Sequence, residues 1–215
     1  MSPSRHHWAV VALLAALPLA ACGGGGEKKT TAPGQVETST TVKEPKVKVA
    51  KSFDDLAKAL NISAPDGYVL QPDQVGDTGP SDIVKASKDD GGDDAQAFLT
   101  RTGFVRGYQR MWSRSGSDGF VIYLYQFGNP AGAAEYTNRL TADATTPNPD
   151  VRLGQFLVPG INGATGVTAT GKTSATSSVT FVKGPYSVQV ELTSRTPTGL
   201  ESLATALAEE QYSRL

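Results

Sequence analysis

Phe104-Val105-Arg106-Gly107-Tyr108-Gln109-Arg110-Met111-Trp112-Ser113 and Phe120-Val121-Ile122-Tyr123-Leu124-Tyr125-Gln126-Phe127 decide the fold, with Ser115-Gly116-Ser117-Asp118-Gly119 between them. Both runs are rich in β-branched and aromatic residues, and the joining segment has turn chemistry, so they read as an antiparallel hairpin. On the second strand Val121, Tyr123, Tyr125 and Phe127 share one side, and Phe120, Ile122 and Leu124 the other. A strand apolar on both sides is either central and covered twice, or it borders a cavity. On the first strand Phe104, Arg106, Tyr108, Arg110 and Trp112 alternate, which places them on one side. Aromatics beside two guanidinium groups suit an anionic, partly apolar ligand or a partner surface. The structural alternative is that the rings are core and the arginines pair with carboxylates. Arg106, Tyr108, Arg110, Trp112 and, from the second strand, Tyr125 are the candidate ligand-binding residues.

Outward from the hairpin, Asn129-Pro130 starts a helix with Ala133, Tyr136 and Leu140 on its apolar stripe. Residues 141–154 read as loop, because Pro147 and Pro149 oppose regular structure. Strands are expected at 155–158, 164–170, 178–183 and Tyr186–Ser194. In the last, Tyr186, Val188, Val190 and Leu192 alternate with Ser187, Gln189, Glu191 and Thr193, the mark of one buried and one wet side. Leu200, Leu203, Ala204, Leu207 and Ala208 recur at helical spacing near the C-terminus. Upstream, a helix over 95–101 precedes the hairpin, and a short strand at 68–70 and a helix after Ser81 are further expectations. Ser52 and Asp55 form a capping-box pattern before Phe53, Leu56 and Leu60. The fold class is α+β: a mainly antiparallel sheet of about five or six strands, covered on one face by the helices beginning near Ala95, Pro130 and Thr198.

At the N-terminus, Leu19-Ala20-Ala21-Cys22 follows an apolar run from Trp8 and a short segment carrying Arg5. This has the form of a lipobox: Leu19, Ala20 and Ala21 are read by the signal peptidase, and Cys22 is acylated through a diacylglycerol thioether. The apolar run is too short to span a bilayer comfortably. The expected organisation is a signal peptide over 1–21, a lipidated N-terminus and linker over 22–51, and one globular domain over 52–215. The linker, with four consecutive glycines and many threonines, cannot bury enough apolar surface to fold. As a coil it separates lipid from domain by about 25–35 Å.

Maturation at Cys22 also narrows the chemistry. Both histidines, His6 and His7, leave with the signal segment, and the single cysteine is consumed by the lipid. Ser-His-Asp and Cys-His catalysis, His- or Cys-bound zinc and disulfides are thereby excluded. The 20 basic and 21 acidic side chains nearly balance, so no nucleic-acid surface is expected. No carboxylate pair is placed by spacing, and no catalytic residue, metal ligand or cofactor is assigned.

Two motifs tempt. Gly166-Val167-Thr168-Ala169-Thr170-Gly171-Lys172-Thr173 matches the P-loop formula. Residues 174–178 are poor helix material, so a hairpin with Gly171-Lys172 at its turn is expected instead. Lys88-Asp89-Asp90-Gly91-Gly92-Asp93-Asp94 is acidic and glycine-rich but lacks the EF-hand spacing; it reads as a turn whose Asp93 or Asp94 caps the next helix.

The run from Phe98 to Trp112, together with Tyr125-Gln126-Phe127-Gly128-Asn129-Pro130-Ala131-Gly132-Ala133, the lipobox and the tether, resembles an uncharacterised group of actinobacterial lipoproteins. More distantly, the order of elements is similar to PsbP-like lipoprotein domains, which implies an antiparallel sheet between helices and a binding role. The functional expectation is a domain on the outer face of the cytoplasmic membrane that binds an envelope lipid, glycan or protein. The alternatives are a histidine-free, carboxylate-dependent hydrolase or transferase, and a structural accessory subunit without a small-molecule ligand.

Overall fold

The computed structural model describes residues 47–60, 62–76, 78–114 and 118–215. The expected signal peptide, Cys22, the linker as far as residue 46 and the hairpin tip at 115–117 lie outside the described residues. In chain order the elements are α1 (Phe53–Ala59), β1 (Val69–Leu70), β2 (Gly79–Ser81), α2 (Ile83–Asp90), α3 (Ala95–Arg101), β3 (Phe104–Ser113), β4 (Gly119–Phe127), α4 (Pro130–Thr145), β5 (Arg152–Phe156), β6 (Thr165–Thr170), β7 (Ala175–Lys183), β8 (Tyr186–Ser194) and α5 (Leu200–Arg214).

The fold is α+β with one antiparallel sheet of eight strands, in the order β1-β3-β4-β8-β7-β6-β5, with β2 beside β1 on the outer edge of β3. Of the two strands beyond six, β1 lies where a short strand is expected at 68–70, whereas β2 is too short to show an alternation of its own. Central β4 is apolar on both sides because both are covered. Phe120, Ile122 and Leu124 meet α1 and α5 in one core, while Tyr125 and Phe127 meet α2, α3 and α4 in a second. The helices are therefore divided between two faces, not gathered on one as expected. Helix α4 crosses the sheet from β4 over β8 and β7 to β6. Its 16 residues span about 24 Å, enough to pass the roughly 14 Å of three strand spacings.

Local chemistry starts and stops these elements. Ser52 and Asp55 complete the capping box of α1, and Asn129 accepts from the Gly132 N–H to begin α4. Gly132 lies so close to the chain before β3 that a Cβ there would overlap the Thr102 carbonyl oxygen. Helix α4 runs on to Thr145 and β5 starts at Arg152, so the loop expected over 141–154 is much shorter. Order also begins before Ser52: the Tyr186 hydroxyl accepts from the Ala50 N–H at 2.6 Å and donates to the Lys48 carbonyl at 2.9 Å. Among the described residues no helix is long and apolar enough to cross a membrane.

Candidate functional site

The aromatic–arginine stripe of β3 is divided by the fold. A bulge at Val105 shifts the register between Phe104 and Arg106, sending Phe104 to the α4 side and leaving Arg106, Tyr108, Arg110 and Trp112 on the α1 side. Tyr125 is opposite Gly107 in the ladder and also points to the α4 side. A Cβ at Gly107 would overlap the Tyr125 ring, so glycine is what lets that ring lie across β3. The five candidate ligand-binding residues are thus four on one face and one on the other.

The four are mainly structural in their surroundings. Trp112 is 1 % exposed and stacks on Phe120 at 4.5 Å. Tyr108 is buried and donates to Asp73 Oδ2 at 2.6 Å; burial, then that hydrogen bond, push its phenol up to about 12. Among the described residues neither arginine forms an ion pair with a carboxylate. Arg106 donates to the Lys51 carbonyl at 2.6 Å and lies over Phe53, while Arg110 lies 5.8 Å from the Tyr108 ring centre. Arg110, Asp54, Ala57 and Lys58 border a wide, open groove of about 420 Å³ beside α1.

A narrower crevice on the other face gathers more chemistry. Its walls are Asp89 from the end of α2 and Tyr136 and Leu140 from α4; its floor is Tyr123 and Tyr125 of β4 with Ser187 and Gln189 of β8. It has room for about one water molecule, about 10 Å³. Asp89 Oδ2 accepts from Lys85 Nζ at 3.2 Å, from the Tyr125 hydroxyl at 3.2 Å and from the Gln109 amide. That amide also donates to the Tyr125 hydroxyl at 2.9 Å, and its oxygen accepts from Lys85. Burial, then Tyr136 and Asp89, push the Tyr125 phenol well above its ordinary value, keeping it a neutral donor. Asp89 Oδ1 takes no part in these bonds and is open to the crevice. Thr137 donates to the Ala133 carbonyl, so in its 2.7 Å contact with Ser187 the serine is the donor and keeps lone pairs for a ligand.

The remaining sequence motifs resolve locally. In the acidic turn, Arg139 of α4 clamps Asp90 at 2.9 Å and Asp94 at 2.8 Å, and a Cβ at Gly92 would overlap this guanidinium. Asp94 takes the N-cap position of α3 as expected, but its side chain makes no cap hydrogen bond and serves Arg139 instead. The P-loop-like stretch is the end of β6 and a turn into β7, closed by Gly171 N–H donating to the Ser174 carbonyl at 2.9 Å. It opens no helix, so it has no phosphate-binding N-terminus.

Sequence reasoning missed Asp89, Tyr136, Ser187 and Gln189 as neighbours. Ser187 and Gln189 stood on the side of β8 read as wet, yet α4 covers it and they are 2 % and 9 % exposed. The signal that could have found them is β4: its second apolar side demands a covering helix, and a helix wide enough to cover it also reaches β8.

No family model matches the chain, and no curated protein matches it. Among solved structures the chain is similar to the extracellular domain of PknH from Mycobacterium tuberculosis, at TM-score 0.43 and 11 % identity, over 76 % of this chain and 92 % of that one. At that level neither fold nor function carries across.

Proposed function

We propose that this protein is a lipoprotein of the type the N-terminal residues and the actinobacterial resemblance suggest. It is acylated at Cys22 and held on the outer face of the cytoplasmic membrane, where its domain binds a component of the cell envelope. The observation that carries the binding role is the crevice between α2 and α4, where a carboxylate, three tyrosines, a serine and a glutamine converge on one opening. Polar groups converging in an otherwise aromatic concavity are the usual composition of a ligand site. No catalytic step is assigned. The Asp89 carboxylate is engaged by Lys85, and those of Asp90 and Asp94 by Arg139, which suits them to holding shape more than to moving protons.

Two measurements test the proposal. Metabolic labelling with a fatty-acid analogue is expected to mark the full-length protein and to fail on Cys22→Ala; unchanged labelling of the variant removes the anchor. Native mass spectrometry of the detergent-purified full chain is expected to show a co-purifying envelope component. A bare mass in every preparation counts against binding.

A further inference from the structure

Resting on the reading of the α2–α4 crevice as a binding site, we propose that its ligand is a neutral, hydroxyl-rich glycan that lies across the central strands and sends one hydroxyl down to Asp89. The charge balance of the crevice points away from ions. Lys85 already lies against Asp89 and Gln109, and Arg139 holds two carboxylates, so an anion meets no uncommitted cation there among the described residues. A second ammonium would meet Lys85 beside a carboxylate whose charge that lysine largely cancels. A crevice with room for about one water molecule also excludes an acyl chain while admitting a hydroxyl group.

The groups that face the opening match hydroxyls. A sugar hydroxyl donates and accepts at once, and the crevice offers both functions. Asp89 Oδ1 and Ser187 Oγ accept, the Gln189 amide gives one N–H to Glu191 Oε2 at 3.2 Å and keeps its oxygen and second N–H, and the Tyr123 ring provides an apolar wall for C–H faces. The sheet register extends this pattern. Gln109, Tyr123, Gln189 and Thr180 stand in one cross-strand row on the α4 side. The next two positions along the same side of β4 and β8 bring up Val121 with Glu191, then Gly119 with Thr193, all half-buried. The crevice therefore opens onto a shallow polar floor on which further sugar units can lie, and it is not a closed pit for a single small molecule.

The test uses the full-length protein in detergent micelles. It is titrated by calorimetry with neutral hexasaccharides of glucose, mannose, galactose or arabinose, and followed in parallel by hydrogen exchange. At least one hexasaccharide is expected to bind and to protect β4 and β8. Tyr123→Ala is expected to weaken that binding about tenfold, Tyr123→Phe to retain most of it, and Gln189→Ala to weaken it several-fold. Lys58→Ala, on α1 at the opposite face of the sheet, is expected to leave it unchanged. Melting temperatures show whether each variant is folded. Failure of every hexasaccharide to protect β4 and β8 overturns the proposal. Protection of those strands by ethanolamine or by phosphatidylethanolamine vesicles alone overturns the glycan while leaving the crevice as a site. Absence of protection by any of these, together with a bare mass in every preparation, removes the crevice itself.

Discussion

Tyr186→Phe isolates the attachment of the N-terminal segment to the domain. The Tyr186 ring is 1 % exposed in the core beneath α1 and α5, and phenylalanine keeps that packing. What disappears is the hydroxyl, which accepts from the Ala50 N–H at 2.6 Å and donates to the Lys48 carbonyl at 2.9 Å. Two hydrogen bonds at a net 0.5–1.5 kcal/mol each amount to about 1–3 kcal/mol. Other ties remain: Arg106 donates to the Lys51 carbonyl at 2.6 Å, and the Lys51 N–H donates to Asp55 at 2.8 Å. The loss should therefore be felt at residues 47–50 first. Hydrogen exchange of the full-length protein is expected to show Ala50 opening roughly five- to 140-fold more often, with β4 peptides little changed. If the lost bonds are fully coupled to global unfolding, the melting temperature falls by about 2–4 °C per kcal/mol. Unchanged exchange at Ala50 would show that the phenol does not hold this segment, and would refute the reasoning.

Three further outcomes rest on particular contacts. Gly132→Ala forces a methyl group onto the Thr102 carbonyl, with backbone on both sides and little room to yield; a loss of about 1–3 kcal/mol is expected, read as a lower denaturation midpoint at constant slope. Lys172→Ala is expected to change stability by less than about 0.5 kcal/mol. It should leave an ATP titration as featureless as that of the parent, and lysine-dependent ATP binding would contradict the hairpin. The third concerns pH. Tyr108, with its phenol raised to about 12, contributes stability that is whole below the ordinary tyrosine value of 10 and is lost as pH rises toward 12. Asp94 and Asp118, lowered first by hydrogen bonds from Arg139 and Arg114, contribute stability that is present above 3.8 and lost as pH falls below it. Denaturant melts are expected to give a plateau from about pH 5 to 9. A transition inside that range would contradict it, since no histidine lies among the described residues.

Much of the fold was legible because its signals are local. The β3–β4 hairpin, the cap of α1, the Asn-Pro start of α4 and the alternation of β8 each depend on a few neighbouring residues. The misreadings arose where one residue or a distant element decides. A single inserted position at Val105 reverses which side Phe104 faces, and nothing in the alternation of β3 announces it. The polar side of β8 became interior because α4 crosses it, bringing Thr137 to Ser187 and Thr141 to Thr180. The site was legible only in part for the same reason. Tyr125 was selected, but its neighbours come from α2, α4 and β8, which no spacing along β4 reveals. Asp89 had the look of a solvated turn residue until Gln109 and Lys85 closed around it.

The placement of β8 between β4 and β7 has a kinetic meaning. Phe120 faces Leu192 across the middle of the sheet, with α4, β5, β6 and β7 intervening along the chain. As residues emerge from the N-terminal end, β4 can pair with β3, but its other edge and one of its apolar faces stay open. They wait for the strand that comes last and for the helix after it. Closing such a long-range pair is slow, and an unpaired apolar edge invites association between chains in the meantime. Completion of the domain is thus tied to arrival of its C-terminal segment, and loss of β8 and α5 would leave a sheet that folds at its edges without a centre.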